Sequence, residues 1–280
     1  MTISLQSGVA AETQLTAEAL QREWQGWKKG WSRFMDALDA QEVPYLSYSK
    51  VSTVERCPRC YYNQYILRQE LSSTALTTGS LFHRAAEAFY DALRLGQPFD
   101  APAVAQHLRP KHTDPTQQAH LENAIKTLRQ NAWEGYEIVA TEELIFLDLA
   151  PRLPPVIGVA DLVLRKAGSY VVVDHKTSKR FNDPDPAQLV LYAKHVRQRH
   201  GASAVVGAFD EYRLVPDLKR VRKPVFRRTP VSVDPAALAP LIARFRRAWK
   251  LIATIHRDRH ATPSPDCYTC NPPSYGSNWY

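Results

Sequence analysis

Two carboxylates and a lysine stand at the ends of two apolar runs, Gly158-Val-Ala-Asp161 and, thirteen residues later, Asp174-His175-Lys176. Side chains alternate along an extended chain, so Asp174 and Lys176 share a face while His175 points away. Asp161 reaches the same place if its run pairs with the second. Acids embedded in apolar strands are seldom left alone, and two of them converging beside an ammonium call for a cation. Hard divalent ions prefer carboxylate oxygens, and the set suits metal-dependent phosphodiester cleavage.

The four cysteines form a second constellation, divided evenly between Cys57-Pro-Arg-Cys60 and Cys267-Tyr-Thr-Cys270. A C-x-x-C turn presents two thiolates to one centre, and two such turns complete a set of four. Spacing alone admits zinc or an iron–sulfur cluster, with free thiols or a redox dithiol as the plainer alternative.

The elements that must position these groups follow from periodicity. Residues 1–42 read as a helical extension with Trp24, Trp27 and Trp31 on one face, packed on the body of the protein. A capped short helix begins near Ser47 and ends at Cys57-Pro58. Thr77-Thr78-Gly79 opens a longer helix whose buried stripe is Phe82, Ala85, Ala86, Phe89 and Leu93, with His83 and Glu87 beside it. Further helices are expected over about 101–108 and 115–133, then a strand over 138–149. Val156 to Leu164, a turn at Ala167-Gly168-Ser169 and Tyr170 to Val173 read as a buried hairpin. Pro186 suits the first turn of a helix that sets Gln188, Tyr192 and His195 on one face. Strands are expected over 205–214 and 221–233. A long amphipathic helix with Leu238, Leu241, Ile242, Phe245, Trp249, Ile252 and Ile255 follows, and 263–280 is a loop-like tail. Strands around a crossing helix, flanked by helical additions, indicate a mixed α/β sandwich.

Composition narrows the partners. The net charge is +8, and Lys219 to His260 holds twelve Lys or Arg against Asp234 and Asp258, a local positive field expected of a phosphate-facing surface and equally of a solvated basic helix with no ligand. No stretch approaches the length of a membrane span and the N-terminus lacks the pattern of a secretory signal, so a cytoplasmic location is expected.

Taken in order, these residues resemble the PD-(D/E)xK nuclease superfamily, and within it the RecB-like group that includes CRISPR-associated spacer-acquisition nucleases, AddB and related phage exonucleases. The family's helical motif matches Gly79, His83 and Glu87; its G-x-x-D strand matches Gly158 and Asp161; its D-x-K strand matches Asp174 and Lys176; its Q-x-x-x-Y helix matches Gln188 and Tyr192. An opening serine and Cys-Pro motif is similar to Ser47, Ser49, Cys57 and Pro58, at looser spacing. The resemblance spans roughly residues 45–272 and implies a restriction-endonuclease-like mixed sheet flanked by helices, with 43–280 as the nuclease domain after the 1–42 extension.

What the resemblance implies for the site is specific. His83, Asp161, Asp174 and the backbone carbonyl of His175 would hold Mg²⁺ or Mn²⁺, Lys176 would act at the nucleophile, and Gln188 and Tyr192 would orient water or the nucleic-acid backbone. Glu142 and Glu143, on the strand before the hairpin, are candidates to assist the site but are not assigned to it. Cys57, Cys60, Cys267 and Cys270 would hold a [4Fe–4S] cluster that staples the C-terminal tail, although the family divides its cysteines one and three rather than two and two, and zinc is the alternative. The expected activity is a DNA exonuclease on single-stranded or frayed ends in recombination, repair or phage DNA processing, with a helicase or recombinase as possible protein partner. Two other classes compete: a non-catalytic DNA-binding scaffold that keeps the fold, and an adaptor that recruits a partner through the tryptophan helix.

Overall fold

The computed structural model describes residues 15–28, 30–69, 74–108 and 114–270. In chain order the helices are α1 (Ala17–Gly26), α2 (Trp31–Ala40), α3 (Tyr48–Arg56), α4 (Pro58–Tyr61), a π-helical turn (Tyr62–Ile66), α5 (Thr74–Arg94), α6 (Ala101–His107) and α7 (Pro115–Gln130). Strands β1 (Glu137–Leu147), β2 (Val156–Lys166) and β3 (Ser169–Ser178) follow, then α8 (Ala187–His200), β4 (Val205–Arg213), β5 (Phe226–Val231) and α9 (Leu238–Asp258). The chain divides into two compact units, one drawn from Met1–Leu71, Phe146–Gly158 and Ala239–Tyr280 and the other from Ser72–Ile145 and Val159–Leu238.

In the first unit the aromatic extension is two helices rather than one. Gly30 takes φ +83°, a left-handed conformation that glycine adopts without steric cost, and the chain turns there between α1 and α2. The three tryptophans still converge: Trp24, Trp27 and Trp31 lie 5.4–5.9 Å from one another or from the fully buried Phe34. Trp31 also packs edge-on against Phe146. The expected helix over residues 1–14 lies outside the described residues, as does the tail beyond 270. Ser47 caps α3 as expected, its Oγ accepting from the Lys50 N–H at 3.1 Å. Along α9, Leu241, Phe245, Ala248, Ile252 and Ile255 form the buried stripe.

The second unit is built on a five-stranded sheet of order β1-β2-β3-β4-β5. β2 and β3 form the expected antiparallel hairpin; β3 and β4 are parallel, joined through α8, and β4 pairs antiparallel with β5. The mixed sheet with flanking helices is the restriction-endonuclease-like α/β arrangement expected. Phe82 and Phe89 of α5 and Leu121, Ile125 and Leu128 of α7 bury Val171, Val173, Ala208 and Tyr212, alternate residues of the two central strands. The opposite face takes α8. A Cβ on Gly207 would stand 3.1–3.2 Å from Leu189 atoms, so the glycine lets α8 lie close on the face that also carries Val172, Asp174 and Lys176.

Two boundaries differ from expectation. α5 starts at Thr74 rather than Thr77, and Gly79 is interior: a Cβ there would meet Thr177 Oγ1 at 3.2 Å, so this glycine serves close approach of α5 to β3. β5 begins only at Phe226, because Pro224 has no N–H to give a ladder. Pro230, inside β5, is tolerated because β5 is an edge strand.

Candidate active site

The hairpin brings its acids together by register. Leu162 pairs with Val173, so the next step places Asp161 opposite Asp174, and there the ladder yields to a side chain: the His175 N–H donates to Asp161 Oδ2 at 2.7 Å. The His175 ring turns to the other face, stacked at 5.9 Å on Tyr90 and edge-on to Phe82. From α5, His83 sets Nδ1 3.4 Å from the same Asp161 oxygen.

On the α8 side a relay runs from the sheet into the helix. Lys176 Nζ lies 2.7 Å from Asp174 Oδ2 and donates to Gln188 Oε1 at 2.9 Å, and Gln188 Nε2 donates to the Tyr192 hydroxyl at 2.9 Å. Gln188 and Tyr192, one turn apart, present one face to the lysine.

Of the two glutamates on β1, Glu142 is the one that joins this group. Ligand atoms of His83, Glu142 and Asp161 all lie within 4.8 Å of one another. Glu142 has φ +47°, a conformation costly for a side-chain-bearing residue, and such strain concentrates at functional positions. With its backbone kinked there, Glu142 joins the acids while its neighbour Glu143 accepts from His195 at 3.3 Å and His200 at 3.0 Å, tying β1 to α8. The adjacent pair of glutamates was the available signal, but plain alternation assigns them to opposite faces and cannot show which one reaches the site.

The electrostatics show acids in excess of cations at this site. Burial opposes charging the His83 ring, but the Asp161 carboxylate outweighs it and carries His83 up to about 9. Burial also pushes Asp161 upward, yet His83 and the His175 N–H hold its ionised form down to about 2. Glu142 is raised to about 8 by burial and by Asp161, and Asp174 to about 6 by burial, against the pull of Lys176. Three acids compete for two side-chain cations, and the surplus is met by protons. The donors, mostly carboxylate oxygens with one imidazole, fit a divalent ion such as Mg²⁺ or Mn²⁺.

The sequence from residue 45 to residue 274 matches the model of the PD-(D/E)XK nuclease superfamily. The chain belongs to this superfamily. Nucleases of this class hydrolyse phosphodiesters with divalent metals, and DNA is the substrate that membership implies. A solved structure from Eubacterium rectale, described as a "Putative exonuclease", shares the fold at TM-score 0.53 and 12% identity, covering 83% of this chain and 89% of its own. The structure of SSO0001 aligns over 82% of this chain and 83% of its own, with 14% identity and a TM-score of 0.34. No curated protein matches in sequence. Among the described residues, no helix of this nuclease is long and apolar enough to cross a membrane.

In the first unit the four cysteines do meet. Cys57 and Cys270 sulfurs lie 3.7 Å apart, Cys60 and Cys267 3.4 Å, Cys60 and Cys270 3.5 Å. The Ser264 N–H donates to Cys57 Sγ at 3.4 Å. Burial raises the Cys57 thiol but this N–H and the other cysteines outweigh it, drawing Cys57 down to about 6. The group can hold a metal.

Basic residues of the 219–260 segment are not one free surface. Arg228 pairs with Asp210 at 2.7 Å, Arg227 with Glu211 at 2.6 Å, Arg244 with Glu55 at 2.7 Å and Arg259 with Glu42 at 2.7 Å. These four pairs neutralise part of the segment's charge, while Lys223, Arg246, Arg247 and Lys250 stay exposed.

Proposed function

We propose that the protein is a Mg²⁺- or Mn²⁺-dependent deoxyribonuclease that degrades DNA from single-stranded or frayed ends, in recombination, repair or phage DNA processing. The observation that carries this reading is the convergence of Asp161, Asp174 and Lys176 with His83 and Gln188. An inactive scaffold has no use for a lysine held between a buried acid and a helix amide.

His83, Glu142, Asp161 and Asp174, with the His175 carbonyl, would hold the cation, which when bound neutralises phosphate charge and makes water more acidic. The protein's own groups do the rest. Asp174 and Gln188 fix the Lys176 ammonium where charge builds on the phosphoryl oxygens during in-line attack. Tyr192 remains a neutral hydroxyl, because burial raises its pKa well above the ordinary value, and it sets the orientation of the Gln188 amide. Asp161, held ionised by His83 and the His175 N–H, keeps the His83 ring in place among the groups that would hold the cation.

For the cysteine centre, the sulfur spacing supports zinc over the [4Fe–4S] cluster. Four thiolates around one ion at about 2.3 Å stand about 3.8 Å apart, close to the 3.4–3.7 Å found here, whereas a four-iron cluster holds its thiolates outside a much wider body. Such a centre joins Cys57-Cys60 to Cys267-Cys270 and stabilises the first unit.

The test is degradation of end-labelled single-stranded DNA with Mg²⁺ or Mn²⁺, by wild type and by Asp174→Ala, with metal content and visible absorption measured on anaerobically purified protein. Metal-dependent degradation lost in Asp174→Ala, and a colourless protein with one zinc per chain, are expected. Undiminished cleavage by the variant sinks the nuclease site; a broad band near 400 nm sinks the zinc assignment in favour of the cluster.

A further inference from the structure

Beyond the catalytic lysine the second unit contains a cationic groove of about 770 Å³, lined by Lys179, Arg180, Phe181, Arg213, Lys223 and Arg227 among others. Its place is set by register. Lys176 of β3 pairs with Glu211 of β4, which pairs with Arg227 of β5, so the three side chains form one row across the sheet on the face that carries Asp174. Lys179 follows Lys176 by three residues, roughly 10 Å of extended chain, which spans about three nucleotides at most, at the 3.4 Å rise of stacked DNA, and fewer where bases are unstacked.

The groove wall is held in shape by buried polar contacts. Glu211, almost fully buried, accepts from Arg227 Nε at 2.6 Å and from the Asn182 N–H at 3.1 Å, and Arg227 also donates to the Asn182 carbonyl. Arg213 donates to the Pro224 carbonyl at 2.9 Å. Between the two guanidiniums sits Phe181, its ring 5.1 Å from Arg227 and 5.9 Å from Arg213. Lys179, Arg180 and Lys223 are exposed, and Asp183 is the acid paired with Arg227 at the rim, at 3.6 Å.

Fixed cations around an aromatic ring, one strand away from a phosphodiester-cleaving lysine, have the chemistry of a single-stranded nucleic-acid track: charges follow the backbone and a ring takes an unstacked base. We propose that this groove binds the single-stranded DNA segment adjoining the scissile phosphate, with Lys179, Arg180 and Lys223 on phosphates and a base stacked on Phe181. A duplex keeps its bases stacked on each other and offers no free face to Phe181, so the groove selects single strands. The assignment rests on the nuclease reading for its polarity toward the active site.

The test is equilibrium binding of a fluorescent oligothymidylate in EDTA, which removes cleavage from the measurement. The triple variant Lys179→Ala/Arg180→Ala/Lys223→Ala is expected to bind at least tenfold more weakly near 0.1 M salt, with the salt dependence shallower by about 2, the release from three single-strand phosphates. Phe181→Leu is expected to lose about tenfold with an unchanged salt slope, and Phe181→Tyr to retain affinity. Hydrolysis of the small diester bis(p-nitrophenyl) phosphate, which cannot span the groove, is expected to be unchanged in the triple variant. Affinity unaltered in both the triple variant and Phe181→Leu overturns the proposal, as does an equal loss for blunt duplex. If wild type binds through the groove yet cleaves nothing, the nuclease reading fails while the groove assignment stands.

Discussion

The backbone N–H of His175 donates to Asp161 Oδ2 at 2.7 Å, one step past the Leu162–Val173 pair where the β2–β3 ladder ends. An acid side chain thus replaces a strand carbonyl, and the same oxygen faces His83 at 3.4 Å. Asp161 is at once the end of a hairpin and a member of the group proposed to hold the cation. Asp161→Ala leaves a buried N–H without acceptor and should cost about 1–3 kcal/mol in urea unfolding in EDTA, while Asp161→Asn, which keeps an acceptor oxygen, should cost less. Both should weaken Mn²⁺ binding at least tenfold by calorimetry. Equal stability of the two variants would contradict the backbone role.

Glu142 combines a strained backbone with a place in the cation group. Glu142→Gly should relieve the left-handed strain, raising the stability of the metal-free protein by about 1 kcal/mol while weakening Mn²⁺ binding about tenfold. Titration of the variant followed by thermal unfolding in EDTA measures both effects. A variant that loses stability and keeps its metal affinity shows that Glu142 belongs to the scaffold alone.

Gln188 links the lysine to Tyr192 without touching the Asp161 group. Gln188→Leu should therefore slow cleavage by about 10–100-fold with Mn²⁺ affinity unchanged, the signature of lost positioning. A parallel fall in metal affinity would place Gln188 among the groups that hold the cation.

Lys50 makes the stability of the first unit depend on alkaline pH, rising rather than falling. Its ammonium is buried against Asp39 at 2.7 Å and over the Tyr45 ring at 3.4 Å; burial lowers its pKa to about 8 from an ordinary 10.5, with Asp39 opposing. The folded chain loses this proton before the unfolded chain does, so between about pH 8 and 10.5 the unfolded state binds more protons and stability rises with pH. Lys50→Met should lack that rise, visible as a difference in urea midpoints between pH 7 and 10. Parallel pH profiles for the two proteins would remove Lys50 as the cause.

Much of the fold is legible in the sequence, for identifiable reasons. The hairpin could be read because Val171-Val-Val173 and the run before Leu164 are long, apolar and bounded by a turn, and alternation then fixes which of Asp174, His175 and Lys176 face together. Gln188 and Tyr192 were readable from a four-residue helical spacing. Glu142 was hidden by the backbone kink at its own position, which breaks the alternation such a reading depends on. The two-helix form of the tryptophan extension turned on the positive φ of Gly30, and a count of charge along 219–260 cannot show that Asp210, Glu211, Glu55 and Glu42, distant in sequence, pair with four of its arginines.

The most direct measurement is the rate at which Lys176→Ala degrades end-labelled single-stranded DNA in Mn²⁺, set beside its Mn²⁺ affinity and thermal midpoint. The ammonium stands between Asp174 and Gln188, and the account assigns it to charge that develops only during attack. The prediction is a rate lower by about 10³-fold or more, with the fold intact and the cation still bound. Cleavage within a few-fold of wild type would contradict the assignment of this site as the place where the phosphodiester is cut.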